Sequence, residues 1–190
     1  MIKTFVLLGL PGSGKGKQAE LLSEKTGFPV VTAGSKLRDM AKDGNIVGRK
    51  VAQVINAGEL MPSWFVSYLW QQSLLGLGED DGIIFDGGVG RIEVEARLFS
   101  EVCVWLGRDF RVLDFKVSEV IVADRLRKRQ LIEGRKDDDP NVFQNRLKNF
   151  YEHTAPAIEY FRSINKLVEI NGEPLPDVVA SEVWEKVSAL

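Results

Sequence analysis

The stretch GLPGSGKGKQ, residues 9–18, follows directly on the apolar run Ile2 to Leu8. A buried strand, a glycine-rich turn and then a helix start is the arrangement that cradles a nucleotide polyphosphate. Gly9, Gly12 and Gly14 let the backbone bend so that several N–H groups point at one anion. A helix starting near Lys15 adds the positive end of its dipole. Lys15 itself is long enough to reach the β- and γ-phosphates. The pattern G-x-x-x-x-G-K-[ST] is met except at Gly16, which stands where Ser or Thr is expected. The other reading, a flexible hairpin with a stray lysine, leaves the strand before it and the amphipathic pattern after it (Ala19, Leu21, Leu22, Thr26) unexplained.

Outward from this loop, strand and helix patterns alternate. Strands are expected near 2–8, 28–32, 82–86, 110–116 and 166–170. Helices are expected near 15–26, 34–43, 47–57, 62–75, 92–102, 118–133, 140–161 and 174–188. Repeated β-α-β order predicts a parallel sheet with helices on both faces. Two gaps interrupt the alternation. Residues 33–81 hold helices and no clear strand, which reads as a helical flap. Residues 130–139, QLIEGRKDDD, form a polar break between two helices. Alone that break is a solvated charged loop; beside a phosphate site, a segment with both Arg and Asp has a use.

The chain of 190 residues suits one domain with inserted flaps. A net charge of −2 gives no reason to expect bulk nucleic-acid or membrane binding. One cysteine, Cys103, cannot form an internal disulfide, and zinc-finger spacing is absent, so a reducing cytosol fits. The start MIKTFVLLGLPG is too short an apolar run to span a membrane and reads as a first core strand. The single histidine, His153, has no second metal ligand nearby and reads as structural.

Phosphoryl transfer needs positioning and charge neutralisation more than covalent chemistry. Guanidinium groups suit the spread charge of the moving phosphoryl group. Arg125 and Arg129 lie one turn apart on a helix face. Arg135 sits in GRKDD and Arg146 follows on the next helix. Taken singly, each reads as a surface charge. Asp86, in GIIFDGG, ends an apolar strand, where a carboxylate is placed to hold the water shell of a magnesium ion. Its plainer role is a turn Asp before Gly87. Trp64, Phe65 and Tyr68 read as packing on an amphipathic helix.

The string G-x-P-G-x-G-K-G-x-Q, with Pro11, Gly16 and Gln18, resembles the adenylate kinase family of nucleoside monophosphate kinases. The resemblance covers nearly the whole chain. DRLRKR at 124–129 is similar to the helix that leads to the family's lid, and GRKDD to the short lid's R-x-D-D. Arg146 falls at the family's spacing, and Thr154, Ala155 and Pro156 repeat its TAP motif. TAGSKLR at 32–38 resembles [ST]-[TA]-G-[DE]-x-L-R, and AGELMPSWFV at 57–66 resembles the strip that lines the acceptor base.

That resemblance implies an α/β, three-layer P-loop NTPase fold, with a parallel five-stranded sheet and helices on both faces. It implies one domain over 1–190, carrying an acceptor-binding flap at about 33–62 and a short, metal-free lid at about 130–139. The implied reaction moves the γ-phosphate of ATP, accompanied by Mg2+, to a nucleoside monophosphate in nucleotide biosynthesis. AMP leads as acceptor. The ATP side would be Gly12, Ser13, Gly14, Lys15, Gly16, Lys17 and Arg125, with Arg125 stacked on the adenine. Lys15, Arg129, Arg135, Arg146 and Asp86 would form the catalytic set. Asp86 would face the metal through water; Asp137 and Asp138 would either add a water-mediated contact to it or pair with the arginines. The acceptor side would be Thr32, Ala33, Gly34, Arg38 on the phosphate, Gly58, Glu59, Met61, Gly87, Arg91 and Val94. The expected partners are the two nucleotides, with no nucleic acid and no membrane, for a cytoplasmic monomer.

Several positions depart from the family pattern. Lys17 replaces the usual Thr or Ser; it either adds a second cation to the phosphate site or points into solvent. GVGR replaces F-P-R-[TN], so without a gap Gly90 stands where the phosphate-binding Arg belongs. Arg91 takes over if the loop is rebuilt around Gly87, Gly88 and Gly90. The base-reading Gln or Asn falls on Val94, and a common Thr falls on Ala33. These changes keep two rivals open: a CMP/UMP kinase of the same family, and a non-catalytic nucleotide-binding relative. A kinase for a small metabolite would need neither Arg38 nor the lid arginine spacing.

Overall fold

A computed structural model of the chain describes residues 2–133 and 140–190. Five strands, β1 (Thr4–Gly9), β2 (Val30–Thr32), β3 (Ile83–Asp86), β4 (Arg111–Lys116) and β5 (Leu167–Asn171), form one sheet in the order β2-β3-β1-β4-β5. Every neighbouring pair is parallel. The described helices are α1 (Lys15–Thr26), α2 (Ala33–Met40), α3 (Ile46–Asn56), α4 (Ser63–Leu75), α5 (Glu93–Trp105), α6 (Glu119–Glu133), α7 (Pro140–Asn149), α8 (Ala155–Ser163) and α9 (Pro176–Ser188). This is the three-layer α/β arrangement expected of the phosphate-binding loop.

The central strands are apolar along their length because both faces are covered. Alternate side chains then feed two separate cores. Val6, Leu8, Ile83, Phe85 and Val112 join one, packed with Trp70, Phe99, Ala157 and Phe161 from α4, α5 and α8. Phe5, Leu7, Ile84, Leu113, Phe115 and Ile170 join the other, under Ala19 and Leu22 of α1 and Val179, Val183 and Val187 of α9. Phe99 anchors the first core. Its ring meets those of Trp70, Phe85 and Phe110 edge-on, with centroids 5.3, 5.9 and 5.0 Å away. Removing it as Phe99→Ala removes three such pairs and leaves a void, at a cost of about 3–5 kcal/mol. A third, smaller cluster (Leu10, Val122, Leu126, Phe143) ties α6 and α7 to the loop after β1.

Two features place the ligand region. β1 lies between β3 and β4, and its C-terminal end opens into the loop, where ligands bind in open parallel sheets. α2 and α3 project between β2 and α4 and share Leu37 and Val51 with the first core. The strand positions agree with the sequence reading to within two residues. The single helix expected at 140–161 does not hold. α7 ends at Asn149, a π-helical turn runs Phe150–Thr154, and α8 begins at Ala155. Pro156 is the cause. It has no N–H to bond the carbonyl four residues back, and its ring crowds that carbonyl. The chain rewinds, and the Ala155 N–H bonds the Phe150 carbonyl instead. The lid expected at 130–139, with Arg135, Asp137 and Asp138, lies outside the described residues from 134 onward.

Candidate active site

The loop after β1 is built for an anion. Gly12 has φ +86, and a Cβ there would come within 2.8 Å of Leu126 and 2.9 Å of Val122, so no other residue fits. Gly14 begins α1 in the left-handed region, and α1 has no side-chain cap. Its first N–H groups are therefore left for a ligand. Lys15 folds back over this loop. Its ammonium donates to the Gly9 carbonyl at 2.8 Å, the Leu10 carbonyl at 2.8 Å and Ser13 Oγ at 3.1 Å. Burial lowers its pKa to about 8, with Arg146 and Arg129 adding repulsion and Asp86 and Asp114 opposing it. In this form the lysine occupies its own loop and must leave these acceptors to meet a phosphate.

Asp86 ends β3 in register with Leu7 of β1 and Thr32 of β2. Burial pushes its carboxyl up, while Lys15, Arg38 and Arg129 pull it back. Its Oδ2 lies 3.3 Å from where a Cβ at Gly16 would stand, so the bare glycine lets the carboxylate approach the start of α1. No cluster of three or more His, Cys, Asp or Glu that could cage a metal exists among the described residues. A single carboxylate beside a phosphate loop fits Mg2+, which keeps most of its waters and binds through phosphates.

Arg125 donates to the carbonyls of Ser13 at 3.3 Å, Gly172 at 2.9 Å and Glu173 at 2.9 Å. It therefore straps α6 to the loop and to the turn after β5. Arg129 and Arg146 both act electrostatically on Lys15. Lys17 points outward, 54% exposed and paired with Glu20 at 3.3 Å.

A cavity of about 640 Å³ opens beside Lys15. Gly34, Arg38, Gly58, Glu59, Gly87, Arg91 and Arg146 line it, together with Asn149, Phe150 and Thr154. Arg38 lies along α2 with Nη1 3.1 Å from where a Gly34 Cβ would stand. Four residues expected at the acceptor are not among its lining. Thr32 ends β2, and the Ala33 methyl packs on Gly88. Met61 is 7% exposed in the first core and offers only its carbonyl toward Arg91. Val94 is 60% exposed.

The fate of Val94 follows from the loop before it. Gly90 has φ +64, and a Cβ there would strike the Phe161 ring at 2.6 Å. No arginine can stand at position 90. The next basic group along the chain is Arg91, which lines the cavity. Arg91 is held by Glu95, one helical turn later and 1% exposed. A glycine at position 90 and a fixed Arg91 after it are what a loop rebuilt around Gly87, Gly88 and Gly90 would need.

Sequence reasoning missed Glu95, Asn145 and Asn149. Asn145 Nδ2 donates to the Ala57 carbonyl at 3.1 Å and Asn149 Nδ2 to the Gly58 carbonyl at 3.0 Å, docking the strip after α3 onto α7. Both pairs repeat at i and i+4, which was the available signal. Thr154 Oγ1 donates to the Arg91 carbonyl at 2.9 Å, so the π-helical turn also supports this wall.

Comparison with known proteins follows the same line. The family model described as adenylate kinase matches residues 7–166. The chain is 36% identical to the adenylate kinases of Mycobacterium bovis (strain BCG / Pasteur 1173P2) and Mycobacterium tuberculosis (strain ATCC 25618 / H37Rv) over 168 residues, 88% of this chain and 90% of each relative. It is 32% identical to adenylate kinase 1 of Synechocystis sp. (strain ATCC 27184 / PCC 6803 / Kazusa) over 188 residues, 98% of both chains.

Proposed function

The chain belongs to the adenylate kinase family, a family of phosphotransferases acting on nucleoside monophosphates, and we propose that its reaction is ATP + AMP ⇌ 2 ADP. The observation that carries this reading is the convergence of Lys15, Arg38, Arg91 and Arg146 on one cavity, with Asp86 acting on Lys15. ATP would lay its β- and γ-phosphates in the loop, against the N–H groups of Gly12 to Gly16. Lys15 would turn from the carbonyls of Gly9 and Leu10 to the phosphate. Arg38 would hold the acceptor phosphate, and Arg129 and Arg146 would face the charge spread over the moving group. Asp86 would hold Mg2+ through water, and that ion would neutralise phosphate charge. α2, α3 and the strip to residue 62 would act as the acceptor flap, and residues 130–139 as the lid.

The flap side of the cavity carries Leu37, Ala41, Ala52, Ile55 and Leu60, together with Lys42, Asn56 and Glu59. An apolar wall of this kind discriminates weakly, which favours a second reading in which CMP and UMP are accepted alongside AMP. We also place the chain in a reducing cytosol as a monomer, in keeping with its single thiol, Cys103, which is fully buried. No helix among the described residues is long and apolar enough to cross a membrane.

Titration calorimetry tests the assignment of the two sides. Arg38→Ala should weaken AMP binding by roughly ten- to a hundredfold, the loss of a charged hydrogen bond, and leave ATP binding within twofold. Equal weakening of both nucleotides would contradict the assignment.

A further inference from the structure

Glu95 is 1% exposed, yet it is charged and lies one turn from the cavity wall. Its Oε2 accepts from the Arg91 backbone N–H at 3.1 Å and from Arg91 Nε at 3.1 Å. Its Oε1 accepts from Arg91 Nη2. Nη2 also donates to the Met61 carbonyl at 3.1 Å. The Arg91 carbonyl accepts from Thr154 at 2.9 Å. Arg91 is therefore fixed to α5, to the end of the flap strip and to the π-helical turn at once. These bonds use Nε and Nη2 and leave Nη1 out, and Arg91 still lines the cavity.

A buried ion pair is weak evidence for stability, because desolvating both charges offsets much of their attraction. The fork geometry points to another use. We propose that Glu95 is a positioning residue of the acceptor site, turning Arg91 so that Nη1 alone meets the acceptor phosphate while most of the arginine's charge is cancelled. The inference rests on the reading that this cavity takes a nucleoside monophosphate. It follows that Arg91 contributes direction more than charge, and that Arg38 supplies the charge. It also explains how a loop that excludes arginine at position 90 still presents one: α5 carries the carboxylate that captures the shifted group.

The test is calorimetric binding of AMP and of ATP to the whole chain and to Glu95→Gln. Glutamine keeps the shape and one acceptor but loses the bidentate grip. AMP binding should weaken by roughly tenfold, as expected for two coupled groups, with ATP binding within twofold. Glu95→Asp keeps the charge but falls one methylene short, and should weaken AMP similarly. In an Arg91→Met background, Glu95→Gln should change AMP binding no further, and this double variant leaves no unpaired buried charge. AMP binding unchanged in Glu95→Gln, AMP and ATP weakened together, or a Glu95→Gln effect that persists without Arg91 would each overturn the inference. A parent chain that binds AMP while Glu95→Gln binds it equally defeats this inference alone. A parent that binds no monophosphate defeats the functional reading with it.

Discussion

Lys15 carries the most direct consequence at the scale of one residue. Its ammonium is held under backbone carbonyls with a pKa of about 8 in the ligand-free protein. A polyphosphate in the loop favours the charged lysine and raises that value. Well below pH 8 the lysine is already protonated and adds no pH dependence of its own to ATP affinity. Above it, binding must take up a proton, and the ATP Kd should rise by up to about tenfold per pH unit. Calorimetry in two buffers of different ionisation enthalpy would detect that uptake at pH 9 and none at pH 6. For folding, the sign is that of a lowered lysine pKa. The cost of burying the charge is fully present below pH 8 and is relieved as pH rises toward the unfolded value. Lys15→Met removes that cost along with three hydrogen bonds. The variant should keep its melting temperature within a few degrees, yet lose roughly 100- to 1000-fold in turnover, as an electrostatic contact made in the transition state would. A variant that keeps turnover within a few-fold of the parent contradicts the role given to Lys15. Lys15, Arg38 and Asp86 were all legible in the sequence because each sits at a fixed offset from a local pattern: the glycine loop, the start of α2, the end of β3. Glu95 was not singled out, because its i,i+4 spacing to Arg91 is shared with ordinary surface pairs and only the fold shows it buried.

At the scale of elements, the turn from β3 into α5 supplies Gly87, Gly88 and Arg91 to the cavity wall. Gly90 is held at φ +64 against Phe161. A side chain there meets strain and a clash together, so Gly90→Ala should cost about 1–3 kcal/mol of stability in a denaturant titration. It should also displace Arg91 and weaken AMP more than ATP. Loss of stability with AMP binding intact would separate the turn from the site. The strands and most helices could be read from periodicity, since two buried sheet faces demand continuous apolar runs and amphipathic helices beside them. The break at Phe150–Thr154 could not be placed by periodicity, since the apolar stripe continues through it. Pro156 was visible in the sequence, but a proline near a helix start is compatible with either outcome. The gap at 33–81 read correctly as helices, because no stretch of it alternates.

At the scale of the whole molecule, the proposed reading puts the two nucleotides on either side of the C-terminal end of β1, with Lys15 reaching both the loop and the cavity. Such an arrangement would serve a transfer between two nucleotides. On the proposed reading the acceptor side would hold a phosphate with Arg38 and Arg91 and would face the base with the wall that carries Leu37, Ala41, Ala52, Ile55 and Leu60. Acceptor choice should therefore be tolerant. The most direct test is diphosphate formation from ATP and Mg2+ with AMP, CMP and UMP supplied in turn. Turnover with AMP is expected, yielding two ADP for each ATP consumed, with kcat/KM values for the three acceptors within about two decades of one another. Diphosphate formation from none of the three, by a protein that still binds ATP, would contradict it.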